Sequence, residues 1–257
     1  MATSKHVVLI HGNFVNNHGW AVWKQRYEAR GYMVHTPANP GHEGTAAELR
    51  ANVHPDLAST GFAEVVGNLE RLLETLPDQP LIVGHSMGGA AVMKLVERGK
   101  AVAGVSIHGA PPKNVFPAPF QTLRTVLPAI GLFSFGKTWL GSPDWYDYAF
   151  FNTLEESQRA AAYDANAVPE SYKINTSLLF SSFSRIDFAQ PHAPLLFLGG
   201  TSDHIFPPDF TRRIAGRYRD EASRVDVKIY EGRSHFTCGE PGWERVADDI
   251  LDWYESL

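Results

Sequence analysis

The sequence predicts an α/β fold, with a mostly parallel, doubly wound sheet and helices on both faces. Three observations carry this. Short β-rich runs recur along the chain, several of them apolar at almost every position; stripes of apolar residues at helical spacing fall between them; and one run passes through a glycine-flanked serine straight into a helix of small residues.

The runs are "HVVLI" (6–10), "YMVHT" (32–36), "PLIVG" (80–84), "VAGVSIHG" (102–109), "PLLFLGG" (194–200) and "VDVKIYEG" (225–232). A strand with one wet face alternates apolar and polar residues. Most of these runs do not alternate, so they read as strands buried on both faces, as a parallel sheet requires. Among the helical segments, "GFAEVVGNLERLLETL" places Phe62, Val65, Val66, Leu69, Leu72, Leu73 and Leu76 at three- and four-residue steps, the stripe of a helix laid on a sheet. "PGWERVADDILDWYESL" repeats the pattern with Trp243, Val246, Ile250, Leu251 and Tyr254. Strand and helix in alternation predict the doubly wound arrangement and put ligand-binding residues at the C-terminal ends of strands.

With 257 residues, 44% of them apolar, the chain can bury one sizeable core, and residues 1–257 are expected to form a single domain. The net charge of −5 is mild and no basic run is present, which argues against a nucleic-acid partner and for a small, nearly neutral ligand. Cys238 is the single cysteine and no Cys/His cluster has zinc spacing, so neither a disulfide, a metal nor another cofactor is expected. The apolar run after "MATSK" is too short for a signal peptide or a membrane span; a cytoplasmic protein without stable membrane insertion, monomeric or homodimeric, is the expectation.

Residues 112–190 break the rhythm. They are rich in proline and in aromatics, among them Phe116, Phe133, Phe135, Trp139, Trp145, Tyr146, Phe150 and Phe151, and show no clear strand. A structureless loop of that length is improbable in a compact domain, so an inserted helical cap is predicted. Its best helix is "NTLEESQRAAAYDAN", with Asn152 or Thr153 as N-cap. Trp139, Trp145 and Phe151 are the candidates to line an apolar substrate pocket beneath it.

In "PLIVGHSMGGAAVMKLV" an apolar strand ends at Val83, Gly84 and Gly88 flank Ser86, and a helix begins at once. Such a strand-to-helix turn forces the serine into a strained conformation and exposes its hydroxyl beside a helix N-terminus, whose N–H groups stabilise a developing oxyanion. A serine hydroxyl is a weak nucleophile at neutral pH. It needs a base, and the base needs an orienting carboxylate. "LLFLGGTSDHIFPP" ends a strand with Asp203 in the following loop, and "VKIYEGRSHFTCGEPGW" ends another with His235 before the last helix. Ser, Asp, His, each after a separate strand, is the order found in α/β-hydrolases.

With "LIHGN", "GHSMGG", "GGTSDHIFP" and "EGRSHF" as matching motifs, the sequence resembles the serine hydrolases of the α/β-hydrolase superfamily, of the small esterase and lysophospholipase-like kind, over nearly its whole length. The resemblance implies Ser86 as nucleophile, Asp203 as acid and His235 as base. It also implies an oxyanion hole from the N–H of Met87 and that of Asn13 or Phe14, a cap at the family's usual insertion point, and a small ester as substrate. Only five residues precede "HVVLI", so the fold is expected to lack the family's N-terminal β-hairpin. Asn13 after His-Gly also resembles the haloalkane dehalogenases, whose nucleophile position carries aspartate; the serine here argues against that reaction. The same machinery serves amide, lactone and C–C bond hydrolysis, and a ligand receptor on a hydrolase scaffold is the alternative outside enzymes.

Other residues are weaker candidates. His85 adjoins the serine but points elsewhere at such a turn, and His204 is expected to pack in its loop. His11 is expected to order the loop after the first strand, His108 to be a satisfied core histidine, and His42, His54 and His192 to be surface or loop residues. Asp187 lies at the wrong end of its strand, Asp209 begins a helix, and Cys238 is expected to be a small buried filler.

Overall fold

A computed structural model describes residues 4–115, 120–131 and 136–257. Phe116, Phe133 and Phe135 lie outside the described residues. The chain runs through β1 (His6–Ile10), β2 (Met33–His35), β3 (Leu81–His85) and β4 (Ala103–Ile107). A segment containing two two-residue strands, β5 (Thr138–Trp139) and β6 (Glu170–Ser171), follows before β7 (Leu195–Gly200) and β8 (Val225–Tyr230). The six longer strands form one sheet in the order β2-β1-β3-β4-β7-β8, and every neighbouring pair is parallel.

Alternate residues of each strand feed two separate cores. Val8, Ile10 and Ile82 face one side; Val7, Leu9, Leu81 and Val83 face the other. This is why β1, β3, β4 and β7 are buried at every position and read as unbroken apolar runs. Helices α1 (Ala21–Ala29) and α10 (Trp243–Glu255) cover the second face, with Trp23, Tyr27, Val246, Ile250 and Leu251 fully buried. Helix α3 (Phe62–Leu73) covers the first with Phe62, Val65, Val66 and Leu69, each burial contributing about 1.5–3 kcal/mol of transfer free energy. The edge strand β8 is half-exposed and carries charge, with Lys228 paired to Asp249 at 2.7 Å.

The segment between β4 and β7 holds α5 (Phe120–Ile130), α6 (Pro143–Ala149), α7 (Glu156–Asn166) and α8 (Tyr172–Phe180). Two expectations are corrected here. The segment does contain strand, the short antiparallel β5–β6 pair, in which Thr138 faces Ser171. Helix α7 starts later than "NTLEE" suggested, with Glu155 at its N-cap. Asn152 and Thr153 are drawn into tertiary contacts instead: Asn152 Nδ2 donates to the Ser202 carbonyl, and Thr153 Oγ1 to Glu240. Among the described residues no helix is long and apolar enough to cross a membrane.

Candidate active site

Ser86 sits on the turn between β3 and α4 (Met87–Glu97) with φ 57° and ψ −116°, a backbone conformation L-residues rarely adopt. Its neighbours explain how the turn is held. A Cβ on Gly84 would lie 2.1 Å from the Gly88 carbonyl oxygen, and one on Gly88 would lie 2.4 Å from that of Ile10. Glycine at both positions therefore lets α4 pack against β3 and β1 at backbone contact. The loop after β1 closes on the same point: a Cβ on Gly12 would lie 2.8 Å from Ser86 Cβ.

That loop is oriented by His11. Its Nε2 accepts from the Asn39 N–H at 3.0 Å, so the proton resides on Nδ1, which donates to the Gly12 carbonyl at 2.8 Å. In a trans peptide the N–H points opposite to the C=O, so the Asn13 N–H faces away from His11. Among the described residues neither it nor the Met87 N–H is engaged by a protein acceptor. Burial, aided by the neighbouring His42, lowers the His11 pKa to about 3, keeping it neutral. His42, expected to be a surface or loop residue, lies in a loop but is fully buried, 3.4 Å from Glu170. Burial disfavours its charge, but Glu170 together with the backbone of Pro169 and Pro40 outweighs this and raises its pKa. Phe14 has φ 67°, and its carbonyl accepts from the Tyr146 hydroxyl at 2.6 Å.

At the ends of β7 and β8, Asp203 and His235 meet: Asp203 Oδ2 accepts from His235 Nδ1 at 2.9 Å. Asp203 Oδ1 accepts from the N–H groups of Ile205 (2.7 Å) and Phe206 (3.0 Å). Burial alone would raise the pKa of this carboxyl; the two imidazoles of His235 and His108 overcome it and hold the group well below the usual carboxylate range. His235 is fully buried, which lowers its own pKa; Asp203 opposes that shift and His108 adds to it, leaving the ring less basic than a free histidine. Its Nε2 is buried and has no hydrogen-bond partner among the described residues. Phe150 and Phe206 pack on the ring at centroid distances of 5.1 and 5.6 Å. His85 Nε2 donates to the His235 carbonyl at 2.8 Å and fixes the backbone from behind.

A cavity of about 440 Å³ opens over Ser86. Asn13, Phe14 and Met87 line it, as do Phe150 and Phe206, the two rings that cover His235. Its other walls are mostly apolar, from α5, α8 and Trp145. Of the three aromatics predicted to line a pocket, Trp145 does so. Trp139 does not: it packs edge-on against Phe14 and Trp145, one layer back. Phe151 does not either; it is fully buried against Tyr146 and Phe236. The wall residues that sequence reasoning missed, such as Val126, Ile130 and Leu178, lie on helices whose facing depends on how the segment between β4 and β7 docks.

The other candidates fall as follows. His204 is tied to the Tyr148 carbonyl at 2.8 Å. Burial pushes the Cys238 thiol up, so it stays protonated. His108 proves to be a direct partner of Asp203, its Nδ1 2.6 Å from Oδ2. Donor atoms of His108, Asp203 and His235 lie within 4.8 Å of one another, a spacing a metal ion would also produce, but the two hydrogen bonds account for the approach.

Solved structures of similar fold include a monoacylglycerol lipase of Paleococcus ferrophilus (21% identity, TM-score 0.68, covering 100% of this chain and 96% of that one). A pyrethroid hydrolase of Sphingobium faniae JZ-2 is 18% identical at TM-score 0.70, with coverage of 99% and 98%. A methylesterase from Arabidopsis is 13% identical at TM-score 0.69, with coverage of 98% and 99%. At these identities the likeness is one of fold. No curated protein sequence matches the chain. The model of the alpha/beta hydrolase family matches residues 7–249, and the chain belongs to that family.

Proposed function

We propose that the protein is a serine hydrolase that cleaves carboxylic esters of a small, largely apolar substrate through an acyl-enzyme on Ser86. The observation that carries this reading is the strained Ser86 turn opening on an apolar cavity whose walls cover the Asp203–His235 pair. The names of the structural neighbours, a monoacylglycerol lipase, a methylesterase and a pyrethroid hydrolase, agree with it.

His235 Nε2 takes the proton of Ser86 Oγ as that oxygen attacks the ester carbonyl carbon. Among the described residues His235 Nε2 has no hydrogen-bond partner, and catalytic contacts of this kind tighten in the substrate complex. The carbonyl oxygen becomes an oxyanion, held by the N–H groups of Met87 and Asn13. His235 then protonates the leaving alcohol, and water, activated by the same nitrogen, releases the acid. Asp203 fixes the ring with Nδ1 protonated and stabilises its charged form. Because the cavity wall is apolar, the substrate's bulk is hydrocarbon or aromatic.

A fluorophosphonate probe is expected to add once per chain, with the adduct mapped to Ser86 by peptide mass spectrometry. Absence of an adduct on the folded protein removes the proposal. Asp203→Asn is expected to lower kcat/KM by about 10⁴-fold, the scale known for this change in a triad. Oδ1 is anchored by the N–H groups of Ile205 and Phe206, so the amide oxygen takes its place and the NH₂ group faces the histidines. His235 must then present Nδ1 as an acceptor, which puts its proton on Nε2, where a base is needed.

A further inference from the structure

The carboxylate of Asp203 serves two imidazoles, not one. His235 Nδ1 lies 2.9 Å from Oδ2, and His108 Nδ1 lies 2.6 Å from the same oxygen. With Oδ1 already accepting two backbone N–H bonds, the carboxylate's hydrogen-bonding capacity is spent.

His108 is an odd residue for a structural filler. It sits just beyond β4 at φ 47°, where a residue with a Cβ is strained. It is completely buried. Its N–H donates to the Leu198 carbonyl at 2.8 Å, but among the described residues its Nε2 has no hydrogen-bond partner. A satisfied core histidine uses both ring nitrogens; this one uses only Nδ1, and uses it on Asp203. The partners also settle the tautomer. An ionised carboxylate only accepts, so Nδ1 of His108 carries the proton, and the orphan Nε2 is a lone pair, which is less costly to bury than an N–H without an acceptor.

We infer that His108 is a positioning residue: its ring holds Asp203 by a second imidazole hydrogen bond and divides Oδ2 between itself and His235. The kinetic consequence rests on the function proposed above; the hydrogen bond itself does not. The negative charge that would stabilise protonated His235 is shared with a second donor. Remove that donor, and the undivided carboxylate raises the basicity of His235. The groups facing His235 are His85 at the end of β3, His108 beyond β4 and Asp203 beyond β7. Glu240, from its own loop, is taken up by Ser234, Arg233 and Thr153. None of the others competes for Oδ2.

The test compares His108→Ala and His108→Asn with the parent protein. The acidic limb of the kcat/KM–pH profile is expected to move up by about one pH unit in His108→Ala. His108→Asn, whose amide N–H can replace the ring donor and whose backbone tolerates positive φ, is expected to keep the parent limb. An unchanged limb in folded His108→Ala, or an equal shift in both variants, overturns the inference. A second measurement needs no variant and no activity: nitrogen-15 spectra of histidine-labelled wild-type protein. Both His108 and His235 are expected to show a protonated Nδ1, at high field in nitrogen-15 and carrying a hydrogen-bonded proton at low field. A His108 protonated on Nε2 alone overturns the inference, whatever the enzyme assay gives. Two protonated Nδ1 signals from a protein that hydrolyses no ester uphold the shared carboxylate and overturn the proposed function instead.

Discussion

Ser86→Ala is expected to lower kcat for ester hydrolysis by about 10⁵–10⁶-fold, the range seen when the nucleophile of a triad is removed. That corresponds to about 7–8 kcal/mol of transition-state stabilisation. The fold should not change. The Ser86 side chain makes no capping hydrogen bond to α4, so the missing oxygen leaves no protein group unpaired. Alanine at φ 57° is also no more strained than serine, since both carry a Cβ at the same place. The readouts are initial rates on short p-nitrophenyl esters and the midpoint of thermal unfolding for both proteins. A variant that melts with wild type yet retains turnover within tenfold would end the acyl-enzyme reading. Turnover too slow to measure in the parent, with ligand still held in the cavity, would favour a receptor built on this scaffold.

The sheet was legible because its physics is local. A strand buried on both faces needs apolar residues at consecutive positions, so β1, β3 and β7 announce themselves in the sequence. The Ser86 turn was legible for a related reason: backbone contact at Gly84 and Gly88 excludes every side chain, and that exclusion is written as glycine. Topology then brings together chain segments that share nothing in sequence. Because all strands of the sheet run parallel, the loops after β1, β3, β4, β7 and β8 gather at one edge, and Asp203 reaches His235 there.

What was not legible depends on how segments far apart in sequence dock. His42 looks like a loop histidine because its neighbours are Gly41 and Glu43; it is buried because β6 brings Glu170 over it. His108 looks like the end of a strand, and nothing in "VSIHGAPP" says that Asp203, 95 residues on, will be its partner. Trp139 and Phe151 are as aromatic as Trp145 and Phe150, yet only the latter two line the cavity. Composition reveals that the segment between β4 and β7 is rich in aromatic residues. It does not say which rings look inward.

The largest effect on folding is expected from a single methyl group at Gly84. An alanine Cβ there would stand 2.1 Å from the carbonyl oxygen and 2.4 Å from the carbonyl carbon of Gly88, with Val92 Cγ2 at 2.8 Å. Two of these are backbone atoms of α4, so no rotamer change relieves the clash. The helix must lift from β3, and Gly88 sits equally tightly on Ile10, so the whole seam opens. Gly84→Ala is therefore expected to remove about 4 kcal/mol or more, a large share of the stability of a typical domain. The contrast is Gly67→Ala on α3, where the nearest atom to an added Cβ is the end of the Arg71 side chain at 3.8 Å. In a helix interior with room to spare, the same change should stabilise the protein by about 0.5–1 kcal/mol. Urea unfolding of both variants reads the difference directly: the midpoint rises for Gly67→Ala, while Gly84→Ala is insoluble or unfolds at far lower urea. If Gly84→Ala unfolds with the wild-type midpoint, α4 is not seated on β3 at backbone contact, and the strain at Ser86 loses its cause.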